Sequence, residues 1–157
     1  MSWTAAIIVS HARAALVREQ ILPAIFACQP DQIVIAGEFY HGNGFTYLYV
    51  PPLTRTTNDA LVKRDVAALA CTSDWIAYFS DDHMPAPDFG VNLRQLTNPE
   101  FEPDSAYPEY SDVYVPTRVA SQPGHVGERL NMGESEHYCG GHAGVFRKSV
   151  IERFPWS

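Results

Sequence analysis

Three consecutive residues, Asp81-Asp82-His83, follow the apolar run Trp75–Phe79 across a single serine. Carboxylates this close repel one another, so the pair needs a cation or a basic partner to stay ionised. One or two carboxylates completed by phosphate oxygens suit Mg2+ or Mn2+, and the adjacent imidazole tilts the choice toward Mn2+. The same residues have a plainer use, since an Asp can cap the turn that leads to Pro85. Other chemistry-bearing side chains also stand at the ends of apolar runs. Ser10 and His11 follow Ala5–Val9, with Arg13 close behind, and Glu38 follows Gln32–Ala36 and Gly37. His142 follows Gly140-Gly141, where glycines allow a ligand to approach the backbone closely; a tight turn entering a strand explains the same residues. Glu134, Glu136 and His137 lie just before it in a polar stretch, where charge ordinarily serves solvation.

The elements that position these residues are legible from periodicity. Ala5–Val9 and Gln32–Ala36 are short, β-branched runs that read as strands buried on both faces. Between them Val17, Ile21, Ile25 and Cys28 form one helical stripe, and Pro23 inside it predicts a kink or a break into two short helices. Tyr47–Val50 reads as a third strand. Thr57 or Asn58 can cap a helix to about Cys71 with Leu61, Val62, Val66 and Leu69 inward. Trp75–Phe79 is a fourth strand and Phe89–Leu96 a short helix. Residues 98–111, rich in proline and acid, read as a loop. Asp112–Val119 reads as an edge strand, Cys139–Phe146 as a strand entered through glycines, and Lys148–Phe154 as a last helix. This alternation predicts an α/β fold with a mainly parallel sheet and helices on both faces. Ligands of such sheets sit beyond the carboxyl ends of the strands, where Ser10, Glu38 and Asp81-Asp82-His83 fall.

The chain has 157 residues, the size of a single domain over 1–157, and 46% are hydrophobic, which argues against disorder. Its 11 Lys+Arg against 18 Asp+Glu give a net charge of −7, which argues against a nucleic-acid partner. No apolar run is long enough to span a membrane, and the N-terminus lacks the basic region of a secretory signal. Cys28, Cys71 and Cys139 are widely spaced and read as free thiols, so a cytoplasmic location is expected.

Four segments, in order, resemble the family 2 type glycosyltransferases with the GT-A (Rossmann-like) fold. Ser73–Phe89 (SDWIAYFSDDHMPAPDF) resembles their acidic DXD segment. Ile7–Arg13 (IIVSHAR) resembles the first strand and its nucleotide loop, Leu22–Gln29 (LPAIFACQ) the helix after it, and Cys139–Lys148 (CGGHAGVFRK) the strand after the variable middle. The resemblance covers roughly residues 5–155. It implies a nucleoside-diphosphate-sugar donor and a divalent cation, Mn2+ or Mg2+, with transfer to an acceptor hydroxyl on a glycan, lipid or protein, by an inverting route.

Carried over residue by residue, the nucleotide-sugar contacts are Ser10, Arg13, Glu38, Asn58, Asp81 and Asp82, with Glu38 on the base or ribose. The metal ligands are Asp82, then Asp81 and His83, the cation acting as a Lewis acid on the leaving diphosphate. Lys63 shares Asn58's segment but, mid-helix, reads as a solvated side chain. His142 falls where the family has a residue near the sugar or acceptor. The sequence departs from the pattern at its end, because no downstream Glu-Asp pair supplies the base. Glu134 and Glu136 are the candidates left, and the family domain's C-terminal part reads as missing, which suggests an apolar surface that forms a homo-oligomer. The rival readings are a catalytically incomplete nucleotide-sugar-binding module and a nucleotidyltransferase. The latter predicts a Gly-rich basic loop after the first strand, whereas Ser10-His11-Ala12-Arg13 has no glycine and one basic residue.

Overall fold

The structure is a computed structural model that describes residues 2–9, 13–52, 59–96, 105–106 and 143–155. Every residue of β1 (Trp3–Val9) is buried. A strand's side chains alternate between faces, so a run buried throughout belongs at the centre of a sheet covered on both sides. β1 lies between β2 (Gln32–Gly37) and β4 (Trp75–Ser80), parallel to both, and β2 pairs in parallel with β3 (Thr46–Tyr49). β6 (Ala143–Arg147) runs antiparallel to β4, and the two-residue β5 (Ser105–Ala106) is antiparallel to β6. The order is β3-β2-β1-β4-β6-β5, so the sheet is mainly parallel, as the alternation predicts. Residues 98–111 are not loop throughout, since Ser105–Ala106 add an edge strand through backbone pairing that two residues cannot announce by periodicity. The strand expected over Asp112–Val119 lies outside the described residues.

The two sheet faces carry separate cores. Trp3, Ala5, Ile7 and Val9 of β1 pack with Val17, Ile21, Leu22, Ile25 and Cys28 on one face. Ala6 and Ile8 pack with Ala67, Ala68, Cys71 and Ile151 on the other. The expected stripe of Val17, Ile21, Ile25 and Cys28 is thus buried. It is carried by α1 (Ala14–Leu16), a π-helical turn over Val17–Ile21, and α2 (Leu22–Ala27). Pro23 does not break the helix. It has no N–H for the carbonyl four residues back, and the chain widens ahead of it, the Leu22 N–H bonding to the Val17 carbonyl five residues away.

α3 (Asp59–Ala70) corrects part of the predicted inner face: Val66 packs, partly buried, against the core as expected, but the fully buried residues differ. Its buried residues are Lys63, Arg64, Ala67 and Ala68, whereas Leu69 is 83% exposed. Lys63, expected in solvent, is buried with Nζ 2.6 Å from Asp59 Oδ2. Arg64 lies over the Tyr78 ring at 5.7 Å, and the Tyr78 hydroxyl bonds to the Arg64 carbonyl at 3.4 Å. Two long cationic stems lie against the sheet while their heads find a carboxylate and an aromatic face. α4 (Phe89–Leu96) has the expected span, and its Phe89 packs edge-on against Trp3 and Phe79. α5 (Lys148–Arg153) closes the fold and buries Ile151. No helix among the described residues is long and apolar enough to cross a membrane.

Candidate functional site

The chain winds outward from β1 through β2 to β3, then crosses back to place β4 on the other side of β1. Between β1 and β4 the winding reverses, and in open α/β sheets the crevice at that point, beyond the carboxyl ends, is where ligands bind. Arg13, just after β1, and Asp81-Asp82, just after β4, meet there across the switch. Arg13 Nη1 donates to Asp81 Oδ1 and to Asp82 Oδ2, each at 2.9 Å. His83 Nδ1 lies 2.7 Å from Asp82 Oδ1. Asp81, Asp82 and His83 are all buried, whereas the Arg13 side chain is 37% exposed.

Local chain geometry explains the convergence. The His83 N–H bonds to the Ser80 carbonyl at 3.1 Å, so Asp81 and Asp82 are the two central residues of a tight turn. The turn is thus present, with its two carboxylates held by a basic partner. Burial acts to lower the Arg13 pKa, but the hydrogen bond and charge of Asp81, with those of Asp82, outweigh it and raise the pKa above its ordinary value. Arg13, carried over in the sequence as a nucleotide-sugar contact, is the carboxylates' basic partner.

Glu38 stands one strand away at the same edge. Val9 of β1 is level with Gly37 of β2, so the chain leaves both strands side by side. Gly37 has φ +130°, and a Cβ there would lie 2.0 Å from the Val9 carbonyl oxygen, so only glycine lets the strand ends come this close. The Tyr47 hydroxyl brackets half-buried Glu38, accepting from the Phe39 N–H and donating to the Gly37 carbonyl, both at 3.1 Å. The sequence reading missed Tyr47, whose signal was a tyrosine at the start of the third strand. Ser10, Asn58, Glu134, Glu136, His137 and His142 lie outside the described residues.

The donor chemistry of Asp81, Asp82 and His83 suits a divalent cation, but their arrangement does not. Both carboxylates are turned onto one guanidinium nitrogen, and His83 Nδ1 is turned onto Asp82. Among the described residues, no three His, Cys, Asp or Glu side chains are arranged to hold a metal ion.

No protein-family model matches the sequence, and no curated protein matches it. Solved structures share the fold. S. aureus TarS (residues 1–349) superposes at a TM-score of 0.56 with 9% identity, over 98% of this chain and 49% of that one. The Pyrobaculum calidifontis mannosyltransferase PcManGT, in complex with GDP-Man and Mn2+, superposes at 0.53 with 15% identity, over 96% of this chain and 46% of that one. The 2-C-methyl-D-erythritol 4-phosphate cytidylyltransferase of Thermus thermophilus superposes at 0.50 with 12% identity, over 98% and 74%. This chain thus spans about half the length of the first two. The fold is α/β, of the GT-A, Rossmann-like kind that these enzymes share.

Proposed function

We propose that this chain is a GT-A glycosyltransferase domain, which binds a nucleoside-diphosphate sugar beyond the carboxyl edge of the sheet and passes the sugar to an acceptor hydroxyl. One observation carries the reading. Buried Asp81, Asp82 and His83 and the half-buried Arg13 form a charged cluster at the topological switch point, one strand from Glu38, in a fold shared with sugar transferases. Two parts of such a donor have candidate partners at this edge. Glu38 accepts from ribose hydroxyls or a base N–H, and the guanidinium of Arg13 suits a phosphate. The fold is shared with a cytidylyltransferase as well. The loop after β1 favours sugar transfer, because Ser10-His11-Ala12-Arg13 lacks the glycines and multiple cations of a nucleotidyltransferase loop. The acceptor's proton requires a base, for which Glu134 and Glu136 are the candidates, with His142 near the sugar.

The test is thermal denaturation with UDP-, GDP-, dTDP- and CDP-sugars, each with Mn2+ and with EDTA, on wild type and Glu38→Ala. A ligand at 100 times its Kd stabilises the native state by about 2.7 kcal/mol. For a chain of this size that raises the midpoint by roughly 5–10 °C. One nucleotide should give this shift, reduced in Glu38→Ala, and release of nucleoside diphosphate with an acceptor then separates transfer from binding alone. No shift with any donor in the folded protein rejects the reading.

A further inference from the structure

We propose that Tyr47 is a positioning residue for the nucleoside site, its hydroxyl clasping the backbone on both sides of Glu38 and so holding that residue at the end of β2. The inference rests on the proposed function for what Glu38 binds, and on the structure for the clasp. The Tyr47 hydroxyl accepts from the Phe39 N–H and donates to the Gly37 carbonyl, both at 3.1 Å. A phenol is donor and acceptor at once, so the two bonds form together. Register makes the reach possible. Tyr47 is level with Ile35, two residues before Gly37. Two residues of a parallel strand span about 6.6 Å, a distance that a tyrosine side chain can cover along the strand.

The clasp answers a weakness of the chain at this point. Gly37 has φ +130°, and Gly42 and Gly44 follow, the latter at φ +85°. Residues 38–45 form neither helix nor strand, so regular secondary structure does not fix Glu38. The Gly37 carbonyl also accepts from the Val50 N–H at 3.3 Å, so loss of the hydroxyl would fall mainly on the Phe39 N–H. The Tyr47 ring is itself packed, with His41 edge-on to it at 5.0 Å and Phe39 at 6.4 Å. Tyr47→Phe would therefore remove the clasp and keep the packing. Both of its bonds go to backbone atoms, so the clasp takes up no carboxylate oxygen of Glu38. A ligand that bonds to a residue already held in place loses less ordering entropy on binding.

NMR relaxation of the ligand-free 157-residue chain reads the clasp directly. The order parameter of the Glu38 amide should be about 0.85 in wild type and fall to about 0.6 or less in Tyr47→Phe, with β1 and α3 unchanged. A Glu38 amide that is mobile in wild type, or equally rigid in Tyr47→Phe, overturns the proposal. Calorimetric titration with UDP, GDP, dTDP and CDP in Mg2+ then compares wild type, Tyr47→Phe, Glu38→Ala and the double variant. The nucleotide that binds wild type should bind Tyr47→Phe about five- to tenfold more weakly, and the double variant within about twofold of Glu38→Ala. A tyrosine with a merely structural role would weaken binding by the same factor in both backgrounds. That result, or equal binding by wild type and Tyr47→Phe, rejects this inference alone. If Tyr47→Phe does not fold, amide exchange in wild type takes its place. The Phe39 N–H should then exchange at least about tenfold more slowly than an unstructured amide, and exchange at the unstructured rate overturns the proposal. Binding of no nucleotide by wild type rejects the proposed function, and the ligand-free order of Glu38 then decides the clasp by itself.

Discussion

Cys71 links burial to a measurable pH dependence. Its thiol donates to the Ala67 carbonyl at 3.1 Å. Burial pushes its pKa from 9.0 up to about 11, with a Thr4 hydrogen bond and the Lys148 charge pulling partly back. Below pH 9 both folded and unfolded chains hold this proton. Above it the unfolded chain releases the proton first, so stability falls as pH rises toward 11. A shift of this size is worth about 2–3 kcal/mol. Urea unfolding from about pH 8.5 to 11 should therefore cost wild type about that much more than Cys71→Ala; parallel curves would exclude it. Single residues were legible in the sequence where their chemistry was local. Asp81, Asp82 and His83 stand out as a charged cluster needing a cation or a basic partner. That the partner is Arg13, 68 residues earlier, was not legible, because the pairing is made by a crossover and not by spacing.

At the level of the element, α3 shows where periodicity misleads. The pattern placed Leu61, Val62, Val66 and Leu69 inward; Val66 does pack, partly buried, against the core, but the fully buried residues are Lys63, Arg64, Ala67 and Ala68, and Leu69 is exposed. Small alanines let the helix lie close to β1 and β2, and the cationic stems cover apolar surface that a hydrophobicity count assigns to leucine. Stability should follow the observed face. Leu69→Lys should change the unfolding free energy by no more than about 0.5 kcal/mol, whereas Ala67→Leu should cost about 1–3 kcal/mol by overpacking. Chemical denaturation of the two variants decides between the faces, and the reverse ranking would restore the predicted one. By contrast the first helix was read correctly along its whole stripe, because its inward residues are aliphatic and Pro23 changes the local pitch without turning the stripe away.

At the scale of the whole molecule, the two sheet faces hold, among the described residues, one free buried cysteine each, Cys28 in the core of α1 and α2 and Cys71 in that of α3. Burial raises the Cys28 pKa as well, against a Gly90 backbone hydrogen bond and with the charge of Asp88. Neither thiol should react with Ellman's reagent in the native protein at about pH 7.5. In a Cys139→Ser background both should become reactive at the same urea concentration at which circular dichroism is lost, because β1 belongs to both cores. Separate midpoints would mean that the faces open independently. The α/β class was legible from the alternation of runs, but the strand order and the reversal of β6 were not, since a strand's direction leaves no mark on its own composition.

That reversal reaches beyond the sheet. β5 runs with β4, and β6 returns against it, with Ala106 level with Val145 and Ala143 level with Phe79. The chain therefore departs at residue 106 toward the edge that bears Asp81 and comes back at residue 143 from that same edge. The described frame is thus left at Ala106 and re-entered at Ala143 on the side where Arg13 meets Asp81 and Asp82. The pairing of β5 and β6 with the parallel strands fixes both of these points relative to the charged turn after β4, so a change in β6 register by one residue would shift where the chain re-enters beside Asp81.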